Sequence, residues 1–355
     1  MRPGIVQQAS FGVQQELGRQ WVLELTSVGT RGTHLLRTLD INQASLASTT
    51  SPIRGVTTNT VSNVASRVPH QGFTSTGLNQ VQSEGASWYN DLEATLRRQF
   101  RHGMTIQAAY TWSKTLDTDA LGTVSSSNAG SGIGNAVGNH SRYGQANFSR
   151  PQRLVVSYVY DLPYFSEQAG LRGHALGGWG VSGVTTIQEG HTLSITGTNA
   201  SNVYGQTNSG GDYAQLGPTC STASEGKRGS VQSKIGTPHG SSAFFNTSCF
   251  FSTGTTAFAY PVIGTGGSGT NFGDAGVGVV RGPSQNNWDI SILKNTRLPF
   301  REANMLEFRA EMFNAFNIAQ FADPDTLVSD GANFGNITSL SVAPRVVQFG
   351  LKLDF

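Results

Sequence analysis

Apolar and polar residues alternate with a period of two along much of this chain, in about nine segments separated by stretches rich in Gly, Ser and Asn. The pattern predicts strands near 9–17, 21–29, 87–100, 103–113, 152–162, 179–189, 286–295, 304–313 and 345–355, most of them close to the 9–11 residues that a tilted strand needs to cross a bilayer. The two faces of each strand differ in kind. Trp88, Leu92, Ala94, Leu96 and Phe100 share one face of the third strand, and Tyr89, Asp91, Glu93, Thr95 and Arg97 share the other. Ile106, Ala108, Tyr110 and Trp112 oppose Thr105, Gln107 and Thr111; Leu154, Val156, Tyr158 and Tyr160 oppose Arg153, Ser157 and Asp161; Leu306, Phe308, Ala310 and Met312 oppose Glu307, Arg309 and Glu311.

The connections alternate between short and long. Those at 18–20, 101–102 and 296–303 are short, whereas 30–86, 114–151, 190–285 and 314–344 are long, with 163–178 of intermediate length. Transmembrane barrels have this asymmetry because tight turns face the periplasm and large loops face outward. A soluble sandwich has no reason to keep it. Placing Phe355 at the periplasmic end puts every short turn on that side and every long loop outside. The expected fold is therefore all-β, an antiparallel transmembrane β-barrel, partial, with about nine strands and long extracellular loops. The expected location is the cell outer membrane.

Residue placement within the strands adds detail. Trp21, Trp88, Trp112, Trp179 and Trp288 all fall on the apolar face within a few residues of an expected strand end, which predicts an aromatic girdle. The charges of Glu24, Asp91, Glu93, Arg97, Arg153, Asp161, Asp289, Glu307, Arg309, Glu311, Lys352 and Asp354 lie on the opposite face. Arg98 and Lys294 break that rule, both near the periplasmic end, where a long cationic side chain reaches the interface at a cost of about 0–1 kcal/mol rather than the roughly 2–4 of the midplane. In the closing strand, Val347, Phe349, Leu351, Leu353 and Phe355 form one face and Gln348, Gly350, Lys352 and Asp354 the other. That strand resembles the C-terminal signal by which the outer-membrane assembly machinery recognises its clients, and one physical mode for such recognition is strand addition to an exposed edge.

Composition narrows the alternatives. Charged residues make up only 13% of the 355 residues, Gly numbers 44, and the net charge is +2 with no basic cluster on one face, so a nucleic-acid partner is not expected. No stretch approaches the 18 to 20 apolar residues of a membrane-spanning helix. Met1 is followed by no apolar leader segment, so either the protein stays inside the cell or the chain starts downstream of its own signal. Cys220 and Cys249 match no zinc spacing; a disulfide across a surface loop is the preferred reading, with free or partly buried thiols as the alternative.

Chemical motifs are sparse. Gly264, Gly266 and Gly269 formally match a dinucleotide fingerprint, but no helical period follows, and a Gly-rich loop explains them. Asp323, Asp325 and Asp330 lack the regular spacing and closing Glu of a calcium loop. The histidines, among them His34, His102 and His191, show no metal-ligand spacing. The pairs Asp91 with Glu93 and Glu307 with Glu311 share strand faces as acid/base carboxylates would, yet a polar barrel lumen accounts for them. We expect no enzyme, no cofactor and no metal.

Five segments, SWYNDLEATLRRQFRHGMTIQAAYTWSKTLD (87–117), NFSRPQRLVVSYVYDLPY (147–164), LGGWGVSGVTTIQEGHTLSITG (176–197), NNWDISILKNTRLPF (286–300) and LEFRAEMFNAFNIAQF (306–321), resemble the C-terminal barrel region of TonB-dependent outer-membrane receptors of the Oar-like, acidobacterial type. The resemblance implies a 22-strand barrel with a plug and TonB box, neither of which has a counterpart in 1–355. The chain is thus expected to be the C-terminal portion of such a receptor, not transport-competent alone. By the same resemblance, its loops would capture an unknown large solute, with 190–285 as the capture surface, and the TonB complex would act through the plug. A passive channel or structural barrel, and a β-rich surface adhesin, are the alternatives.

Overall fold

The computed structural model describes residues 2–18, 20–75, 78–99, 103–118, 143–197, 212–216, 243–251, 275–298 and 304–354. Nine long strands follow one another: β1 (Ile5–Gly18), β2 (Trp21–Asp40), β3 (Asn79–Gln99), β4 (Met104–Asp117), β5 (Gln152–Asp161), β6 (Trp179–Gln188), β7 (Gln285–Arg297), β8 (Met305–Phe313) and β9 (Val346–Asp354). Each pairs antiparallel with its neighbour in sequence, giving one meandering sheet in which a two-residue strand, Gly144–Gln145, also joins β4. Among the described residues β1 and β9 are its edges.

Directly opposed residues of an antiparallel pair point to the same side of the sheet, so register carries a face across all the strands. Val13, Leu25, Ala94, Tyr110, Leu154 and Ile187 are successive partners, and so are Val181, Ile292, Ala310 and Phe349. One step along, the partners are Thr26, Glu93, Thr111, Arg153 and Gln188, and then Ser182, Ser291, Glu311 and Gln348. The alternation in sequence thus becomes one continuous apolar face and one continuous polar face.

The apolar face is not buried. Phe11 is 74% exposed, Trp112 58%, Phe349 69% and Leu351 70%. The buried apolar residues instead lie at the end of the sheet that carries the long connections, in one cluster around Ile195, Phe245, Phe250, Val280 and Phe334 and a smaller one of Ala44, Val64 and Val68. The opposite end carries the tight turns. Gly18 and Gln20 take left-handed φ of 82° and 67° to reverse the chain between β1 and β2.

Two sequence expectations need correction. β2 and β3 are 20 and 21 residues long, so the expected 30–86 loop shrinks to 41–78. At roughly 3.3 Å per residue such strands reach about 66 Å, far beyond an apolar band about 25 Å tall. Backbone pairing continues after the apolar face has ended, through register shifts around Leu35 and a left-handed His34 (φ 56°). Trp88 consequently lies well inside β3 and not near its end. The second correction concerns 163–178, which holds a seven-residue helix, Gly170–Leu176, where only a loop was expected.

Candidate functional site

The polar face of the sheet carries compensated charge. Arg309 on β8 sits between two carboxylates, with Nη2 at 2.8 Å from Glu307 and Nη1 at 3.5 Å from Glu311; Lys352 on β9 lies 2.9 Å from Asp354. Asp91 is buried and accepts the Val28 backbone N–H at 2.8 Å across the β2–β3 pair. Glu307 and Glu311 thus share one arginine, and Asp91 is engaged by backbone. Among the described residues no group of His, Cys, Asp or Glu is placed to hold a metal ion.

On the apolar face, each of the two exceptional cations is matched to a tryptophan. Arg98 is the register partner of Trp21, with its guanidinium 5.0 Å from the ring centre, and Lys294 is the partner of Trp179, with Nζ at 5.5 Å. Both pairs sit at the turn end, where cation–π contact offsets part of the cost of a charge on this face. Toward the loop end Trp88 meets Tyr143 edge to face at 5.6 Å, and Trp288 meets Phe316 at 5.4 Å. On β9, Val347, Phe349, Leu351 and Leu353 are all exposed on the apolar side, and Phe349 stacks on Phe308 at 6.1 Å. Phe355 lies outside the described residues, as does Cys220.

The long connections build a cap. Within 190–285, Thr192–Leu193 pairs with Val280–Arg281, Thr196–Gly197 with Asp212–Tyr213, and Gln215–Leu216 with Phe250–Phe251. Phe245, Phe250 and Phe334 meet edge to face at 5.2–6.3 Å, which draws the connection after β8 into the same core. Backbone bonds Thr196 N–H to Thr326 O and Phe244 N–H to Gly335 O tie the two connections together. Cys249 is fully enclosed in this core.

Below the cap, a cavity of about 530 Å³ is lined by residues that include Glu189, Phe244, Arg281, Asn286, Gln320 and Phe321. Arg281 pairs with Glu189, and His191 Nε2 lies 2.9 Å from Asp323. Buried Gln320 clamps Asn286, accepting its N–H at 2.8 Å and donating to its carbonyl at 2.5 Å. Glu189 also accepts from Gln152, which in turn accepts from the Tyr110 hydroxyl at 2.9 Å. Gln152 and Tyr110 belong to the apolar face, so this cavity lies on the outer side of the rim and not over the polar face. Sequence reasoning missed it because Glu189 and Arg281 are 92 positions apart with no shared motif. The aspartates read as an unlikely calcium loop are otherwise engaged: Asp323 on His191, and Asp325 on the Leu327 N–H at 2.8 Å. A hydrogen bond to Asp325 and its negative charge hold the Asp330 carboxyl above its ordinary range.

A sheet with large apolar side chains exposed on one continuous face, and with its buried apolar clusters in the connections, is inverted relative to a soluble sheet. The family described as outer membrane beta barrel domain matches residues 1–348. The chain belongs to this family. It is accordingly an outer-membrane protein, and the apolar face is the lipid face of the barrel. No curated protein matches it. Among solved structures, the barrel is similar to the outer membrane transporter YddB from Escherichia coli (TM-score 0.46, 9% identity, 99% of this chain and 32% of that one). It is also similar to P. aeruginosa FpvA bound to heterologous pyoverdines (0.39, 9%, 98% and 27%) and to FpvAI in its pyocin S2 complex (0.39, 10%, 98% and 27%). The barrel chain spans about a third of the length of YddB and about a quarter of the FpvA chains.

Proposed function

We propose that the chain is part of the wall and the extracellular cap of a TonB-dependent outer-membrane receptor that captures and imports a large solute. The observation that carries the reading is the pairing of a lipid-faced wall with a packed cap drawn from 190–285 and 314–344, a construction suited to holding a solute outside the lumen. The resemblance of five of its segments to Oar-like receptors supports the energised form of transport. Lipid-facing backbone cannot leave a sheet edge unpaired in hydrocarbon, so β1 and β9 are paired by further strands of a larger closed barrel. The tight turns face the periplasm and the cap faces outward. Cys249 pairs with Cys220 and staples the cap. The terminal strand, ending in Phe355, docks on the assembly machinery, and the tryptophans Trp21, Trp88, Trp112, Trp179 and Trp288 lie at the two membrane interfaces.

Planar-bilayer recording of the full-length protein separates this reading from a passive channel. A plugged receptor stays closed in salt solution. A steady open conductance would contradict the proposal and identify a passive pore.

A further inference from the structure

The connection between β5 and β6 turns toward lipid. Its helix, Gly170–Leu176, ends against the apolar face of the wall: the Trp179 indole N–H donates to Ala175 O at 3.0 Å, and Lys294 Nζ donates to His174 O at 2.7 Å and to Gly177 O. Trp179 and Lys294 are register partners on the lipid face, so the helix C-terminus is pinned to that side by a cation placed at its carbonyl end. The preceding residues are fixed as firmly. Gln168 is buried, donates to Asn295 O at 2.7 Å and accepts the Arg297 N–H at 2.9 Å, tying the segment to β7. Close packing leaves no room for a side chain at Gly178, where φ is 72° and a Cβ would lie 2.1 Å from Asn295 O. This is a built contact.

What the segment leaves uncovered is apolar. Leu171 is 92% exposed and Leu176 54%, and Tyr164 and Phe165 are exposed just before them. Leu171 and exposed Ala175 lie one turn apart on one helical face, with Arg172 beside them. In water this would be a costly surface. Here it continues the lipid face beyond the Trp179–Lys294 pair, at the depth where amphipathic side chains settle between headgroups and acyl chains.

We infer that 164–176 is an interfacial anchor, in which Leu171, Leu176, Tyr164 and Phe165 enter the headgroup and acyl boundary of the leaflet next to the tight turns. The partner is the lipid surface itself. The anchor would fix the height of the β5–β6–β7 part of the wall in the membrane, which the strands alone leave to the balance of their girdles.

The test uses the full-length protein with bimane on Leu171→Cys, reconstituted in phosphatidylcholine vesicles brominated either near the glycerol backbone or deep in the chain. Val156→Cys on the lipid face and Ser62→Cys at the loop end serve as references. The label at 171 is expected to lose about half its emission or more to shallow bromines, less to deep ones, and little to aqueous iodide. Val156→Cys should show the reverse depth order, and Ser62→Cys should respond to iodide alone. Strong iodide quenching at 171 without bromine quenching would overturn the anchor and place the helix in water. Protection from both quenchers would overturn it in favour of a protein covering this surface. In Lys294→Met, shallow quenching at 171 should fall; if that variant fails to assemble, the label in the otherwise native protein still decides.

Discussion

In the cap, Ile195 and Val280 are fully enclosed and three phenylalanines meet edge to face; in the wall, Phe11, Trp112 and Phe349 stand out from the sheet with more than half their surface uncovered. One chain uses apolar side chains in opposite senses because its two regions have different solvents. The cap folds by removing apolar surface from water. The wall folds by closing its backbone hydrogen bonds and leaving its apolar face for hydrocarbon, so that polar groups are what it encloses. Equivalent substitutions should therefore have opposite consequences in the two regions.

The largest difference is expected from removing a ring in the cap. Phe250→Ala takes away a side chain that touches Phe245 and Phe334, with a cost of about 3–5 kcal/mol. Limited proteolysis of intact cells should then cut within 190–285 while the barrel keeps its heat-modifiable shift on gels. Loss of both together would mean that cap and wall form one cooperative unit. A smaller effect, roughly 2–4 kcal/mol, is expected from Ile292→Arg on the lipid face, read as reduced outer-membrane assembly. Its neighbour Ser291→Arg, on the polar face, should assemble normally. Equal losses at both positions would erase the distinction between the faces.

The smallest effect is a pH dependence of the cap's edge. The Asp330 carboxyl is held above its usual range by its hydrogen bond to Asp325 and by that group's charge. A raised value in the folded state means that this contribution is fully present below the ordinary aspartate range and is lost as pH rises through the higher folded value. Hydrogen-exchange protection of the 328–334 turn, taken relative to the intrinsic exchange rate at each pH, should be greater on the acid side of that transition, and Asp330→Asn should flatten the dependence of that protection. An unchanged profile in the variant would assign the effect to another group.

The wall was legible in the sequence because one rule, alternation every second residue, governs residues such as Leu154 to Tyr160 that need only a face and no particular neighbour. The cap was not legible, since Leu193, Ala214, Phe245, Val280 and Phe334 come from segments far apart in the chain and share no period. The long upper parts of β2 and β3 were missed for a related reason: NQVQSEGAS, residues 79–87, pairs through backbone and carries no apolar face. The helix at Gly170–Leu176 is too short and too rich in glycine to leave a periodic signal, and only the contacts of Trp179 and Lys294 reveal which side of the wall it occupies. At the rim, Glu189 and Arg281 become partners only once β6 and β7 are paired.

The central claim is that one face of this sheet meets lipid. Oxygen and nickel-chelate accessibility of nitroxides placed singly at Ile290, Ser291, Ile292 and Leu293 in the membrane-inserted full-length protein tests it most directly. The account predicts strict alternation, with 290 and 292 open to oxygen and closed to the chelate, and 291 and 293 lacking that lipid signature. Four positions shielded from both probes, or all four open to the aqueous chelate, would contradict it.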